Sequence, residues 1–272
     1  MSADHNPQAE QMGDESMVRN LAYQAEAIWP QERGLFDRYG LTGALRILDV
    51  GCGTGEVSRH LAQLYPQASV LGVDILESNL QLARRDSVQL GERLSYEQGD
   101  AFSLRFPSNS VDLLVCRHMS QAVPNFPQVL AEFTRVLRPG GWLHLLSEDY
   151  AMLHMPAGQP DPDRFWLDVV IPFLGSIGCD GRVGRHSPAM FERLGYLDIR
   201  LDYVTVDTLR VPRATFANIL LAWRDGYTPA LAEFSARSSE SITAEFDAII
   251  HAIRTPPHYA AWNVPVISGR KP

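Results

Sequence analysis

The feature that most narrows the fold is Leu48-Asp-Val-Gly-Cys-Gly-Thr-Gly55, an apolar run that passes directly into three glycines. Leu45–Val50 is too short for a helix and reads as a buried strand. Glycines at 51, 53 and 55 permit positive φ and close backbone approach. The amphipathic stretch Val57–Leu64 then supplies a helix whose first N–H groups lack intrahelical partners. Strand, glycine turn and helix in that order predict a nucleoside-type ligand beyond the carboxyl end of the strand.

The spacing separates two ligand classes. A dinucleotide fingerprint requires a third small residue for close packing at the pyrophosphate. That place is Glu56 here, and its carboxylate would repel a pyrophosphate. A ligand that is neutral or cationic in this region is favoured, and S-adenosylmethionine, with a sulfonium and an ammonium against one carboxylate, meets that description. Asp74, 23 residues after Gly51, ends the second strand where a carboxylate can accept both ribose hydroxyls. Asp100, in Gly99-Asp-Ala101, ends the third strand where an adenine amino group could be met. Either acid taken alone is equally well a turn or N-cap residue.

The alternation continues along the chain. Strands are predicted over Ser69–Val73, Leu94–Gln98, Val111–Cys116, Trp142–Ser147, Tyr196–Val206 and Tyr259–Ser268. Helices are predicted over Ser16–Trp29, ended by Pro30, and over Leu76–Leu90, Pro127–Leu137 and Ser187–Leu194. Such a rhythm indicates βαβ units and a parallel sheet covered on both faces. One domain is expected over 1–272, divided into an N-terminal helical cap (13–40), a cofactor-binding core (41–149), an insertion or lid (150–186), further core (187–208), a helical cap insertion (209–256) and a last strand (257–272).

The segments LDVGCGTG, GVDILES, the Gly-Asp-Ala after strand three, VDLLVCRH and VLRPGGWLHLL resemble the class I, Rossmann-like methyltransferase family over about Ile47 to Trp142. CRHMSQAVP, LLSEDY and AWRDGY are similar to a small-molecule subgroup of it. The resemblance implies an α/β fold with a seven-stranded, mostly parallel sheet, a reversed last strand and helical cap insertions. It also implies S-adenosylmethionine as cofactor, with Gly51, Gly53 and Gly55 contacting it, Asp74 on its ribose, Asp100 and Ala101 on its adenine and Arg117 lining its methionine end. Asp49, Cys52, Ile75, Gly99, Phe102 and His118 complete the expected cofactor-binding set.

Ligands of open α/β sheets lie beyond the carboxyl ends of the strands. Strand four delivers Arg117, His118 and Met119 there, and strand five delivers Glu148, Asp149 and Tyr150. Methyl transfer is an in-line displacement, so the protein mainly aligns the nucleophile and excludes water. A base is needed only if the nucleophile must lose a proton, and His118 suits that task. It could instead pack at the strand end and bond a backbone carbonyl. Glu148 and Asp149 could bind an amine or ring N–H, orient His118, cap the following segment, or stand as solvated loop acids. The expected acceptor-binding set is Tyr23, Met119, Gln121, Tyr150, Phe165, Trp166, Trp223 and Tyr227, because a planar acceptor stacks well on an aromatic wall.

Charge excludes several partners. The net charge is -8, Lys271 is the single lysine, and arginines are scattered, which argues against nucleic acid or an anionic membrane. No apolar run reaches about 18 residues, and the polar Met1–Gly13 lacks signal-peptide character, so a cytoplasmic protein is expected, as monomer or homodimer. Cys52, Cys116 and Cys179 have neither metal-ligand nor disulfide-framework spacing, and no metal is expected. The main functional expectation is methyl transfer to O, N or electron-rich C of a small aromatic or amine-containing metabolite. Alternatives are a protein that uses the sulfonium without methyl transfer, for rearrangement or sensing, or a protein methyltransferase.

Overall fold

The computed structural model describes residues 6–156, 158 and 161–272. Among the described residues, eight strands form one sheet: β1 (Arg46–Val50), β2 (Ser69–Asp74), β3 (Leu94–Gln98), β4 (Val111–Arg117), β5 (Leu137–Leu146), β6 (Leu153–His154), β7 (Leu197–Asp207) and β8 (Ala261–Arg270). The order is β3-β2-β1-β4-β5-β8, with β7 on the far side of β8 and the two-residue β6 continuing alongside β8 beyond β5. Strands β1 to β5 are parallel, and β8 runs antiparallel to both β5 and β7. The mostly parallel sheet with a reversed last strand is therefore present, with β6 as a short addition to the seven expected strands.

The chain leaves β1 to one side and returns through β4 on the other, with Val50 beside Cys116. That change of direction opens a crevice at the carboxyl ends of β1 and β4. Because side chains alternate along a strand, Leu48, Val50, Leu114 and Cys116 pack on one face with α5 (Phe126–Val136) and α8 (Val183–Arg193). Ile47, Leu113 and Val115 pack on the other with α3 (Glu56–Leu64) and α4 (Glu77–Asp86).

A third cluster lies above the sheet. It joins α2 (Glu15–Phe36) to α6 (Pro162–Phe165), α7 (Ile171–Ser176), α9 (Arg213–Ser235) and α10 (Ser239–Arg254), around Trp166, Trp223, Phe246 and Trp262. The short α1 (Ala9–Gly13) precedes α2, whose N-cap Asp14 accepts the Ser16 N–H at 2.8 Å.

Several boundaries differ from the expectation. Helix α2 runs through Pro30 to Phe36, because Pro30 and Glu26 are exposed and water can satisfy the carbonyl that proline leaves unbonded. The helix expected over Leu76–Leu90 stops at Asp86, and a 3₁₀ segment follows around Gly91. The insertion carries its own helix, α6 and α7 joined by a π-helical turn at Trp166–Val170. Cys52, Cys116 and Cys179 are all buried free thiols.

Candidate active site

At the end of β1 the chain is tied to β2: the Gly51 and Cys52 N–H groups both donate to the Val73 carbonyl, at 2.8 and 3.1 Å. Gly53 has φ 53°, and its N–H donates to Asp74 Oδ2 at 2.8 Å. The Leu76 N–H donates to Asp74 Oδ1 at 2.9 Å, so each carboxylate oxygen keeps spare acceptor capacity. Burial pushes the Asp74 pKa up, against the lowering effect of those N–H groups.

A cleft opens over this turn. Of the expected cofactor-binding residues, Gly51, Gly53, Asp74, Ile75, Gly99, Asp100, Ala101, Phe102, Arg117 and His118 line it. Asp49, Cys52 and Gly55 do not. Asp49 is buried beneath the turn, bonded by the Ser58 hydroxyl at 2.6 Å, and burial lifts its pKa to about 6. A Cβ at Gly55, φ 81°, would collide with Tyr96 and Ala83, so this glycine serves helix packing. Glu56 accepts from the Thr54 hydroxyl at 2.7 Å and pairs with Arg59, which fixes its charge at the first turn of α3.

Sequence reasoning missed part of the lining. Met12, Met17 and Leu21 descend from α1 and α2, and a Cβ at Gly53 would lie 2.6 Å from Leu21 Cδ1. The N-terminal helix thus presses on the glycine turn. Asn79 of α4 also lines the cleft, with its Oδ1 buried and lacking a hydrogen-bond partner among the described residues. Arg117 Nη2 and Nε are buried without a hydrogen-bond partner among the described residues, and Nε forms an ion pair with Glu32 Oε1 at 3.0 Å. The apolar pattern of α2 signals its burial, but nothing local singles out Glu32 or Asn79.

His118 follows β4 with φ 52°, its own N–H donating to Leu146 O at 3.1 Å. Its side chain does not bond a backbone carbonyl. Nδ1 lies 2.6 Å from Glu148 Oε1, and Glu148 is 1% exposed. With Glu148 ionised and the imidazole neutral, Nδ1–H donates and the lone pair falls on Nε2, which has no partner among the described residues. Asp149 is engaged differently: it takes Arg185 Nε at 2.5 Å and Nη2 at 2.9 Å and caps the Ala151 N–H. It lines neither the cleft nor the cavity described next.

That second, much smaller cavity lies in the helical cap and is walled by Gln8, Tyr150, Trp166, Phe173, Trp223 and Tyr227, among others. Tyr150 stacks on Trp166 at 6.0 Å, and Trp223 meets both edge-on. Burial and then the Glu148 charge raise the Tyr150 hydroxyl well above its usual range. A run of rings connects the two spaces: His118 lies 5.8 Å from Trp262, and Trp262 5.2 Å from Trp223.

The remaining expected acceptor residues are dispersed. Met119 lines the first cleft, and Gln121 donates to His118 O at 2.7 Å. Tyr23 and Phe165 line neither space: Tyr23 packs against the cap cluster, and Phe165 is core, 5.0 Å from Phe246. Among the described residues, no group of three His, Cys, Asp or Glu side chains is placed to hold a metal, and no helix is long and apolar enough to cross a membrane.

Residues 48–145 match the family described as a methyltransferase domain. The chain is 35% identical over 141 residues to a ubiquinone/menaquinone biosynthesis C-methyltransferase of Dinoroseobacter shibae, covering 51% of this chain and 55% of that one. It is 45% identical over 98 residues to a trans-aconitate 2-methyltransferase of Deinococcus radiodurans, 36% of each chain. It thus spans about half, or less, of the length of these curated relatives. A Haemonchus contortus phosphoethanolamine N-methyltransferase 2, solved with phosphomonomethylethanolamine and S-adenosylhomocysteine, superposes with TM-score 0.64 at 17% identity, over 100% of this chain and 61% of that one. At that identity the likeness is one of fold, the class I methyltransferase fold.

Proposed function

We propose that this chain, with a methyltransferase domain over residues 48–145, is an S-adenosylmethionine-dependent methyltransferase acting on a small organic acceptor. The observation that carries the reading is the coincidence of two arrangements in one cleft: the acceptor and cation groups that a nucleoside amino acid needs, and an imidazole that a buried carboxylate holds through its other nitrogen. The cofactor, when bound, supplies a methyl group made electrophilic by the sulfonium.

The residues present fit that ligand. Asp74 accepts from the ribose hydroxyls, the unpartnered Asn79 Oδ1 and the turn at Asp100 serve the base end, and Arg117 Nη2 takes the carboxylate. Leu21 and Met17 cover the cleft and exclude water. His118 Nε2 accepts the proton of the acceptor's nucleophile, and Glu148 holds the ring in that tautomer and stabilises the imidazolium that forms. Tyr150, Trp166, Trp223 and Tyr227 offer a flat, apolar acceptor its stacking surface.

The test is incubation with methyl-labelled S-adenosylmethionine and a panel of phenols, indoles and amines. Label in an organic product supports the reading. Tight S-adenosylhomocysteine binding with no transfer to any acceptor would replace it with use of the sulfonium as a fixed charge.

A further inference from the structure

Three neighbouring strands present polar groups on the face that meets α2: Asp49 from β1, Arg117 from β4 and His144 from β5. Period-two alternation puts them there among otherwise apolar residues such as Ile47, Val115 and Trp142. Against them α2 sets Glu32, fully buried. Its Oε1 lies 3.0 Å from Arg117 Nε and 2.9 Å from His144 Nε2. His144 is fully buried too, stacked on Phe36 at 4.3 Å, and its Nδ1 lies 2.6 Å from the Tyr39 hydroxyl. Since a carboxylate only accepts, His144 Nε2 donates to Glu32, and in the neutral ring Nδ1 then accepts from Tyr39. Burial alone would raise the Glu32 pKa, but Arg117 and the His144 hydrogen bond hold it below the usual range.

An unpartnered charge in such a place would be strongly destabilising, so the carboxylate and the guanidinium need each other. The pairing is lopsided in a useful way. Glu32 approaches the Nε side of Arg117 as an ion pair without hydrogen-bond geometry, while among the described residues Nη2 has no hydrogen-bond partner and Arg117 lines the cleft.

We infer that Glu32 is a positioning residue: from the N-terminal helix, and backed by His144 and Tyr39, it fixes the Arg117 guanidinium that receives the carboxylate of the cofactor's amino-acid tail. The inference rests on the cofactor reading above. Glu32, on α2, and Tyr39, in the 3₁₀ turn that follows it, lie outside residues 48–145, so this half of the device belongs to the N-terminal segment and not to the matched domain. Docking of α2 and capture of the tail are then one event, because the same helix carries Leu21 over Gly53. An arginine side chain loses considerable rotamer freedom when fixed, and a partner that has already fixed it spares the ligand that loss.

The experiment compares two probes by calorimetry, S-adenosylhomocysteine and 5′-methylthioadenosine, which lacks the amino-acid tail. Glu32→Gln should weaken S-adenosylhomocysteine by about tenfold to a hundredfold, the usual effect of losing a hydrogen bond to a charged group, and leave methylthioadenosine unchanged. Arg117→Gln should do the same, and the double variant should be no worse than either single one. Tyr39→Phe, which removes only the far end of the chain, should give a smaller loss in the same probe; circular dichroism melts establish that each variant is folded. Equal weakening of both probes means that Glu32 merely holds the helix down and overturns the inference. Unchanged or increased affinity for S-adenosylhomocysteine also overturns it, because a carboxylate that only neutralised Arg117 would release positive potential when removed. If the wild-type protein binds neither probe, the cofactor reading itself fails, a result distinct from the other two.

Discussion

Replacing Asp74 tests the cofactor reading most directly, because its carboxylate has two separable duties. In the structure it ties the glycine turn to α4, accepting Gly53 N–H at 2.8 Å and Leu76 N–H at 2.9 Å. On the cofactor reading its remaining lone pairs accept two ribose hydroxyls. Asp74→Asn keeps the shape but turns one acceptor oxygen into a donor that faces a backbone N–H. A hydrogen bond to a charged group is worth about 1.5–3 kcal/mol, and the burial that raises the Asp74 pKa offsets part of that for the folded protein. The melting temperature should therefore fall only modestly. No such offset applies to the ligand. Losing both ribose contacts to a carboxylate should remove about 2–4 kcal/mol, roughly a 30- to 700-fold loss in S-adenosylhomocysteine affinity. Calorimetry on a variant shown to be folded by circular dichroism reads this. An affinity within about threefold of wild type would mean that the carboxylate serves the turn alone, and that the ligand does not place a diol there.

The other expectations concern the proton-transfer pair, the lid and pH. His118→Ala should lower single-turnover rates by about a hundred- to ten-thousand-fold, for an acceptor that must lose a proton, while changing S-adenosylhomocysteine affinity far less. Glu148→Gln should follow the same pattern; unaltered rates would leave both residues structural. Leu21→Ala should open the contact over Gly53, so that limited proteolysis near residues 12–21 speeds up without S-adenosylhomocysteine and slows again with it. Equal cleavage in both states would remove α2 from the lid. This substitution is a cleaner probe than removing the whole helix, since Ala25, Ala27 and Ile28 are core. Asp49, lifted by burial to about 6, binds its proton more tightly in the folded than in the unfolded chain. Its contribution to stability is therefore full below about 4 and declines as pH rises through about 6. Asp49→Asn should melt increasingly higher than wild type as pH goes from 4 to 7; a pH-independent difference would contradict the assignment.

Much of the fold could be read without coordinates because it depends on short-range periodicity. The run Leu45–Val50, the glycines at 51, 53 and 55 and the acid at 74 are neighbours in sequence or one βαβ unit apart, and strand–turn–helix geometry leaves little freedom between them. Local rules failed where tertiary surroundings overrode them. Pro30 reads as a stop, but its missing bond falls on a solvated face, and the helix continues long enough to deliver Glu32. Phe165 and Trp166 read alike as candidate acceptor contacts; which ring faces a cavity was decided by the packing of α10 against the π-helical turn. Glu148 and Asp149 are adjacent and chemically equivalent in the sequence. Only the parallel register of β4 on β5, Arg117 beside Leu146, brings Glu148 to His118, while Arg185 claims Asp149. Sequence determined which residue types arrive at the carboxyl edge of the sheet, because strand period and turn chemistry are local. Which of them meet, and which atoms remain unpaired for a ligand, was set by contacts between segments far apart in sequence, such as Glu32 and His144, 112 residues apart, for which spacing carries no code.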